Sequence, residues 1–295
     1  MKSSNRVFCW LEVLAAVSAL GATACSTNNS SLAPSCSATA TSNVVTSSTA
    51  APTGNNVMTI TVNGSQCSQS VDGSGAFNEQ YPNEPCASIT ICTPGATNPS
   101  SGCATINNLL LDTGSYGLRV FGSVLTAAGI VPTAIASGSG NLAECVGFGD
   151  GSSEWGQVET VDAYLGGEAK VTIPIMVINS SFSNPPSACN STNSTPDTGP
   201  SETGFNGIIG VGLFDRDCGP GTSNDCVTDV NNGQYFSCTG STCTGAKAAI
   251  TDQVRNPVAA LATDNNGVIL QLPSIPDGGA ASGWRWARWS VFCLC

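Results

Sequence analysis

The chain has 295 residues, a net charge of −11 and no histidine. An acidic chain with few bases repels phosphate backbones, so nucleic acid is not expected as a partner. Without an imidazole neither a Ser-His-Asp nor a Cys-His hydrolase can be assembled, whereas chemistry that uses carboxyl groups remains available. No cofactor is predicted.

Residues 1–24 have the pattern of a bacterial export signal. Lys2 and Arg6 precede an apolar run over residues 7–20, and small residues then lead to Cys25. This end resembles the bacterial lipobox, in which the cysteine is lipidated and becomes the first mature residue. The resemblance implies an exported protein of the bacterial cell envelope, lipid-anchored at the outer membrane or on the periplasmic face. The alternative is an ordinary secretory signal cleaved nearby, with Cys25 incidental.

Residues 25–56 are dominated by Ser, Thr, Asn and Ala and carry no charge. Such a segment buries too little apolar surface to order itself, so we predict a flexible tether. The folded body is then expected to begin near residue 57. Its basic residues are few, and they are Arg119, Lys170, Arg216, Lys247 and Arg255.

The body contains an even number of cysteines, which in an exported chain predicts disulfides. They are Cys67, Cys86, Cys92, Cys103, Cys145, Cys189, Cys218, Cys226, Cys238 and Cys243. Pairs close in sequence, namely 92 with 103, 218 with 226 and 238 with 243, could clip local loops, although sequence alone leaves the connectivity open. A zinc site is the alternative, but there is neither a Cys-x-x-Cys pair nor a histidine to support it. No metal site is predicted.

Short apolar runs separated by Gly, Pro, Asn and Ser predict a mainly β body with bent strands. The strand candidates are residues 57–62, 106–111, 157–165, 171–178, 207–213 and 267–272. Only residues 120–128, and residues 246–262 with Pro257 interrupting them, have a helical pattern. We therefore expect few and short helices.

An apolar strand that ends in Asp112-Thr113-Gly114-Ser115 is the first candidate for a functional site. Glycine permits a sharp turn there and leaves backbone N–H groups free to approach the carboxylate. A second Asp-Thr-Gly triplet begins at Asp197, in a Ser/Thr/Pro-rich loop with no apolar strand before it. We interpret Asp197 as a solvated turn residue.

Two glycine-rich segments follow the first triplet. Residues 147–152 have the composition of a β-hairpin tip, because Gly-Asp-Gly favours tight turns. Residues 204–212 fit a buried strand that neighbouring backbones approach closely. Neither segment has the spacing of a nucleotide-binding glycine loop.

In this order, the triplet and the two glycine-rich segments resemble the N-terminal lobe of pepsin-like aspartic proteases over roughly residues 57–273. The resemblance implies a single pepsin-like lobe in which Asp112 is one of two carboxyl groups that share a proton across a water molecule. Gly114 and Ser115 would hydrogen-bond its carboxylate, and Thr113 would reach towards the second lobe. The flap over a bound peptide strand would consist of residues Phe148, Gly149, Asp150 and Gly151. Phe148 stands where the family usually has tyrosine. The cysteine-rich lipoprotein form also resembles an uncharacterised family of bacterial lipoproteins.

A second apolar strand with Asp-Thr-Gly is absent, so the second lobe is expected to be missing or truncated. Residues 274–295 change in composition, since Trp284, Trp286 and Trp289 lie in the last twelve positions together with Arg285 and Arg288. We interpret this tail as aberrant, through a reading-frame change or truncation. The alternative is a native aromatic tail that docks on a membrane or partner.

Three functions remain open, and whether the chain is an enzyme is undecided. The first is an aspartic endopeptidase that is complete only in a longer gene product or in a dimer. The second is a non-catalytic envelope lipoprotein that uses the cleft of the lobe for binding, and the third is an inactive fragment. Inactivity is the expectation for this chain. Its partners would be an extended peptide or protein and, through the lipid, a membrane; the oligomeric state stays open.

Overall fold

The computed structural model describes residues 54–62, 85–96, 102–187, 189, 196–218, 225–271 and 290–294. The predicted export signal, Cys25 and almost all of the predicted tether lie outside these ranges. Within them, no helix combines the length and the apolar character that crossing a membrane requires.

Strands dominate the described residues, as predicted. The strands are β1 (Val57–Val62), β2 (Pro85–Cys92), β3 (Cys103–Asp112), β4 (Tyr116–Phe121), β5 (Thr133–Ala134), β6 (Ala136–Ser137), β7 (Gly140–Gly147), β8 (Ser153–Tyr164), β9 (Val171–Ile178), β10 (Gly207–Val211), β11 (Tyr235–Thr239), β12 (Thr242–Gly245), β13 (Val268–Gln271) and β14 (Ser290–Leu294). The helices are α1 (Gly122–Ala127), α2 (Pro200–Thr203) and a 3-10 turn at Ile250–Asp252.

Six of the strands close into a barrel. They follow the order β8-β9-β4-β10-β3-β2, and β2 pairs in turn with the far end of β8. The pairs β3–β10 and β4–β9 are parallel, and the other pairs in the barrel are antiparallel. Strands β7, β11 and β12 extend the sheet beyond β8, and β1, β14 and β13 extend it beyond β2. The barrel interior is filled by apolar side chains such as Leu109, Leu118 and Ile173, which are fully buried.

Strand β10 lies between two strands that are neighbours in sequence. It pairs in parallel with β3 on one side and antiparallel with β4 on the other, so that Gly210 faces Asp112 across one ladder and Gly117 across the other. A Cβ atom on Gly210 would lie 2.7 Å from the carbonyl carbon of Tyr116, closer than real contacts allow. Glycine at this position therefore lets β10 fit between the two strands, and the turn from β3 to β4 must pass over its end.

Strands form at most of the segments predicted as strands, whereas one of the two helix predictions is wrong. Residues 57–62 and 171–178 form strands with the predicted bounds, and α1 lies within the predicted helix at 120–128. Residues 246–262 contain only the 3-10 turn. Their backbone N–H groups bind other segments: Val254 donates to Tyr235 Oη at 2.8 Å, and Arg255 donates to Pro174 O at 3.1 Å.

The disulfide prediction is confirmed within the described residues. The three pairs close in sequence are all present, as Cys92–Cys103, Cys218–Cys226 and Cys238–Cys243. A fourth bond joins Cys145 of β7 to Cys189 across 44 positions. Cys86 is also disulfide-bonded. Such a set of disulfides indicates an oxidising environment outside the cytoplasm.

The predicted tail is described only in part. Residues 290–294 form β14, which pairs antiparallel with β1 and with β13. The remaining tail positions lie outside the described residues, and the interpretation of the tail as a product of frame change or truncation stays a prediction.

Candidate functional site

The turn between β3 and β4 presents Asp112 at the end of a buried strand. Leu111 is buried, Asp112 is half-buried, and Thr113 and Gly114 are exposed. The backbone N–H of Gly114 donates to Asp112 Oδ1 at 2.8 Å. The hydroxyl of Ser115 is buried and has no hydrogen-bond partner among the described residues. The turn is therefore tight, and it holds the carboxyl group of Asp112 through the backbone.

The loop between β7 and β8 carries the four residues predicted as the flap. It is a hairpin closed by two backbone hydrogen bonds, from Phe148 N to Ser152 O at 2.9 Å and from Gly151 N to Phe148 O at 3.0 Å. Asp150 Oδ1 accepts hydrogen bonds from the hydroxyl and the backbone N–H of Ser152, at 2.7 and 2.9 Å. These bonds favour the ionised carboxylate and lower the pKa of Asp150.

The Asp112 turn and the hairpin tip line the same cleft, which has a volume of about 1020 Å³. The predicted site residues that line it are Asp112, Gly114, Ser115, Phe148, Gly149 and Asp150. Thr113 and Gly151 belong to the same two turns but do not line it. The structure therefore brings together two segments that lie more than thirty positions apart in the sequence.

A buried charge network lies beside this cleft. Nη2 of Arg119 donates to Glu144 Oε1 at 2.8 Å and to Asp217 Oδ2 at 3.0 Å. Gln234 Nε2 donates to the same two oxygens, and Tyr235 Oη donates to Asp217 Oδ1 at 2.6 Å. All three charged side chains are almost completely buried. No local sequence pattern indicates this network, because its members come from β4, β7, β11 and the loop after β10.

The charges in the network are unequal. Burial and the neighbouring Glu144 raise the pKa of Asp217 well above its ordinary range. Burial also acts to raise the pKa of Glu144, but the positive charge of Arg119 and hydrogen bonds from its neighbours outweigh this effect and lower it. Glu144 therefore ionises more readily than Asp217 in this network. Arg119 is thus already paired with two carboxyl groups of the protein.

Glu154 of β8 also lines the cleft and has a different environment. Its side chain is completely buried, and neither carboxyl oxygen has a hydrogen-bond partner among the described residues. Burial, opposed by Arg119 and reinforced by Asp197 and Glu144, raises the pKa of Glu154 from its ordinary 4.5 to about 8. An unpaired buried carboxyl group of this kind is held in its neutral form at pH 7.

Asp197 lies next to Glu154 in this cleft. Its backbone N–H donates to Ser153 O at 3.0 Å, which fixes it beside the start of β8. Burial, with the negative charges of Glu202 and Asp150, raises the pKa of Asp197 to about 6. The interpretation of Asp197 as a solvated turn residue is therefore wrong, since the side chain is half-buried and lines the cleft. Its position depends on contacts with β8 that its own loop composition does not indicate.

The cleft is strongly acidic. The carboxyl-bearing residues that line it are Asp112, Asp150, Glu154, Asp197 and Asp217, and Arg119 is the basic residue among those that line it. In the part of the chain that the structure describes, no three His, Cys, Asp or Glu side chains are grouped so that they could hold a metal ion.

The protein is therefore a disulfide-bonded, mainly β protein with a closed barrel, and its candidate functional site is an acidic cleft. The chain belongs to the family described as "Protein of unknown function (DUF3443)", whose model matches residues 25–284. No curated protein matches the chain.

Proposed function

We propose that the folded body is a pepsin-like lobe whose cleft binds an extended polypeptide without cleaving it. The observation that carries this proposal is that the Asp112 turn and the Phe148–Asp150 hairpin tip line one cleft of about 1020 Å³. Pockets of roughly 300–1,000 Å³ accommodate drug-sized ligands, so the space is sufficient for a peptide of several residues. The resemblance to the N-terminal lobe of pepsin-like aspartic proteases supports the same use of the cleft.

The surroundings of Asp112 favour binding over hydrolysis. Aspartic-protease chemistry needs two carboxyl groups about 3 Å apart that share one proton. Among the described residues, Asp112 accepts a hydrogen bond from Gly114, and no hydrogen bond joins it to another carboxyl group. The buried acid Asp217 belongs to the Arg119 network instead. In the described part of the chain, Asp112 therefore has no partner carboxyl group with which to activate a water molecule.

An aspartic endopeptidase is the second candidate, for a longer gene product or for intact relatives. The turn geometry at Asp112 favours it, because the Gly114 N–H already holds the carboxyl group in place. A second lobe would have to supply the missing carboxyl group across the cleft. In that product, cleavage should occur in acid and vanish in Asp112→Asn.

We further propose that the protein is exported and held in the bacterial cell envelope by a lipid on Cys25. Support comes from the lipobox-like sequence before Cys25 and from the disulfides of the body. The family match also begins at residue 25.

The function can be tested with the purified chain and a fluorescein-labelled, reduced and carboxymethylated protein substrate. We expect fluorescence anisotropy to rise on binding, while gels show no fragments between about pH 3 and 6, with or without pepstatin. Phe148→Ala should weaken binding about tenfold, since an aromatic side chain lining the cleft contributes contact area that alanine lacks.

Leu213→Ala is the matched control for Phe148→Ala. Leu213 is 96% exposed and lies outside the cleft, so its truncation should leave the affinity unchanged. Absence of any binding by the wild-type chain would disprove the proposal. Acid-dependent cleavage that disappears in Asp112→Asn would replace it with the endopeptidase function.

A further inference from the structure

We infer that Glu154 and Asp197 form a subsite that accepts a basic side chain, best an arginine, of a polypeptide bound in the cleft. The inference rests on the proposed function, because it assigns a side-chain preference to the same cleft. It assigns one ligand chemistry, a guanidinium or ammonium group on a long unbranched stem.

The unpartnered carboxyl group of Glu154 is the main observation. A buried polar group without a hydrogen bond costs free energy, and native proteins rarely leave one unexplained. Both oxygens of Glu154 are enclosed, lie at the wall of the cleft and accept no hydrogen bond from any described residue. A guanidinium group has several N–H donors in a planar fork that matches the two oxygens of a carboxylate.

The charges around Glu154 indicate the sign of the ligand. Asp197 lies beside Glu154, next to the start of β8. On the hairpin, hydrogen bonds from Ser152 stabilise the negative charge of Asp150. The nearby cation, Arg119, is already paired with Glu144 and Asp217. The cleft therefore offers an excess of carboxyl groups, which repels an anionic ligand and attracts a cationic one.

The burial of Glu154 also restricts the shape of the ligand. Asp197 is half-buried, whereas Glu154 is completely buried, so a ligand group that meets both carboxyl groups must reach below the protein surface. Lysine and arginine combine a thin apolar stem with a terminal charge and can make that approach. A small cation has no such stem and would gain no apolar contact along the way to Glu154.

Binding of the cation should release a proton. In the free protein the groups that face Glu154 are Asp197 and Glu144, which disfavour its charge, and Arg119, which favours it. The carboxyl group is therefore protonated at neutral pH. An arriving guanidinium stabilises the carboxylate, and the displaced proton passes to the buffer. Arginine binding should consequently tighten as the pH rises towards about 8.

The test uses the full chain and two blocked alanine heptapeptides, one with arginine at its centre and the other with citrulline. Citrulline has nearly the same shape as arginine but no charge. We expect calorimetry near neutral pH to show about tenfold tighter binding of the arginine peptide. Titrations in two buffers of different ionisation enthalpy should show that only the arginine peptide releases a proton.

Three variants test which carboxyl groups bind the arginine side chain. Glu154→Gln should abolish both the arginine preference and the proton release, and Asp197→Asn should reduce the preference. Glu159→Gln is the matched control, because Glu159 is the same residue type on the same strand but lines another cavity. It should retain both properties.

The outcomes are distinguishable from those that test the proposed function. Equal affinity for the arginine and citrulline peptides overturns the subsite while leaving peptide binding intact. A preference that survives in both Glu154→Gln and Asp197→Asn also overturns it. If neither peptide binds the wild-type chain, the peptide-binding function and the subsite are both wrong.

Discussion

Two glutamates on the neighbouring strands β7 and β8 show that the contacts of a single residue set the pKa of its carboxyl group. Glu144 and Glu154 are both fully buried, but among the described residues only the carboxyl group of Glu144 accepts hydrogen bonds, from Arg119 and Gln234. Its pKa is lowered, whereas burial raises the pKa of Glu154 to about 8. One side chain is therefore a structural anion, and the other is a neutral acid at the wall of the cleft.

This difference predicts a stability that falls with pH. The unfolded chain loses the proton of Glu154 near pH 4.5, while the folded chain keeps it until about pH 8. Between these values the folded state binds more protons, so the free energy of unfolding decreases as pH rises and the loss is complete above pH 8. The shift corresponds to at most ~5 kcal/mol. Urea denaturation at about pH 5, 7 and 9 should show Glu154→Gln overtaking the wild type in stability at high pH.

Glu159→Gln should change this pH profile less, because Glu159 is only half-buried. Parallel pH profiles for the wild type and Glu154→Gln would contradict the prediction. They would mean that water or a neighbouring group stabilises the ionised form of Glu154 in the folded protein.

At the scale of elements, the site depends on the insertion of β10 between β3 and β4. The turn that carries Asp112 closes over the end of β10, and Gly212 N donates to Ser115 O at 2.9 Å. The strand is buried along its whole length. The position of Asp112 is consequently set by three strands, two of which are neighbours in sequence and one of which comes from about 95 residues later.

Close packing at β10 predicts a large effect of a single methyl group. Gly210→Ala would place its Cβ 2.7 Å from backbone atoms of Tyr116, so the strands must separate. We expect destabilisation of about 1–3 kcal/mol, measured as a lower urea midpoint. Gly149→Ala is the control, because nothing lies within 4 Å of its Cβ position, and it should change stability by less than about 0.5 kcal/mol. Equal midpoints for the two variants would show that β10 can move aside without cost.

For the whole molecule, the disulfides fit a protein that works outside the cytoplasm. Three of the four described bonds close short loops, and the Cys145–Cys189 bond ties β7 to a segment 44 positions away. The chain as a whole is acidic, with a net charge of −11.

The proposed anchor predicts a chemical modification of the intact chain. Expression in a bacterial host with a radioactive fatty acid should label the wild-type protein, because a lipobox cysteine receives a lipid after export. Cys25→Ser should remain unlabelled, since serine offers no thiol. Cys36→Ser, which changes another cysteine of the predicted tether, is the control and should be labelled like the wild type. Equal labelling of wild type and Cys25→Ser would remove the anchor from the proposal.

Local features of the sequence were sufficient for much of the fold. Short apolar runs predicted strands such as β1 and β9 with the correct bounds. The signals for a strand, which are alternation of apolar and polar residues or a run of β-branched and other apolar residues, are properties of a few consecutive positions. The even number of cysteines predicted disulfides, and the three pairs named as candidates because they are close in sequence are present, although the sequence left the connectivity open. The helix predicted at residues 246–262 does not form, because backbone N–H groups of this segment donate to β9 and β11 in tertiary contacts that the local sequence does not indicate.

The sequence by itself determined that a histidine-based hydrolase is excluded and that chemistry of carboxyl groups remains available, since the chain has no histidine but has an Asp-Thr-Gly-Ser segment. It did not determine which carboxyl groups meet. Only the tertiary structure brought Asp197 to Glu154 and paired Arg119 with Glu144 and Asp217. The physical reason is that burial and neighbouring charges set the protonation of a carboxyl group, and both arise from segments that are distant along the chain.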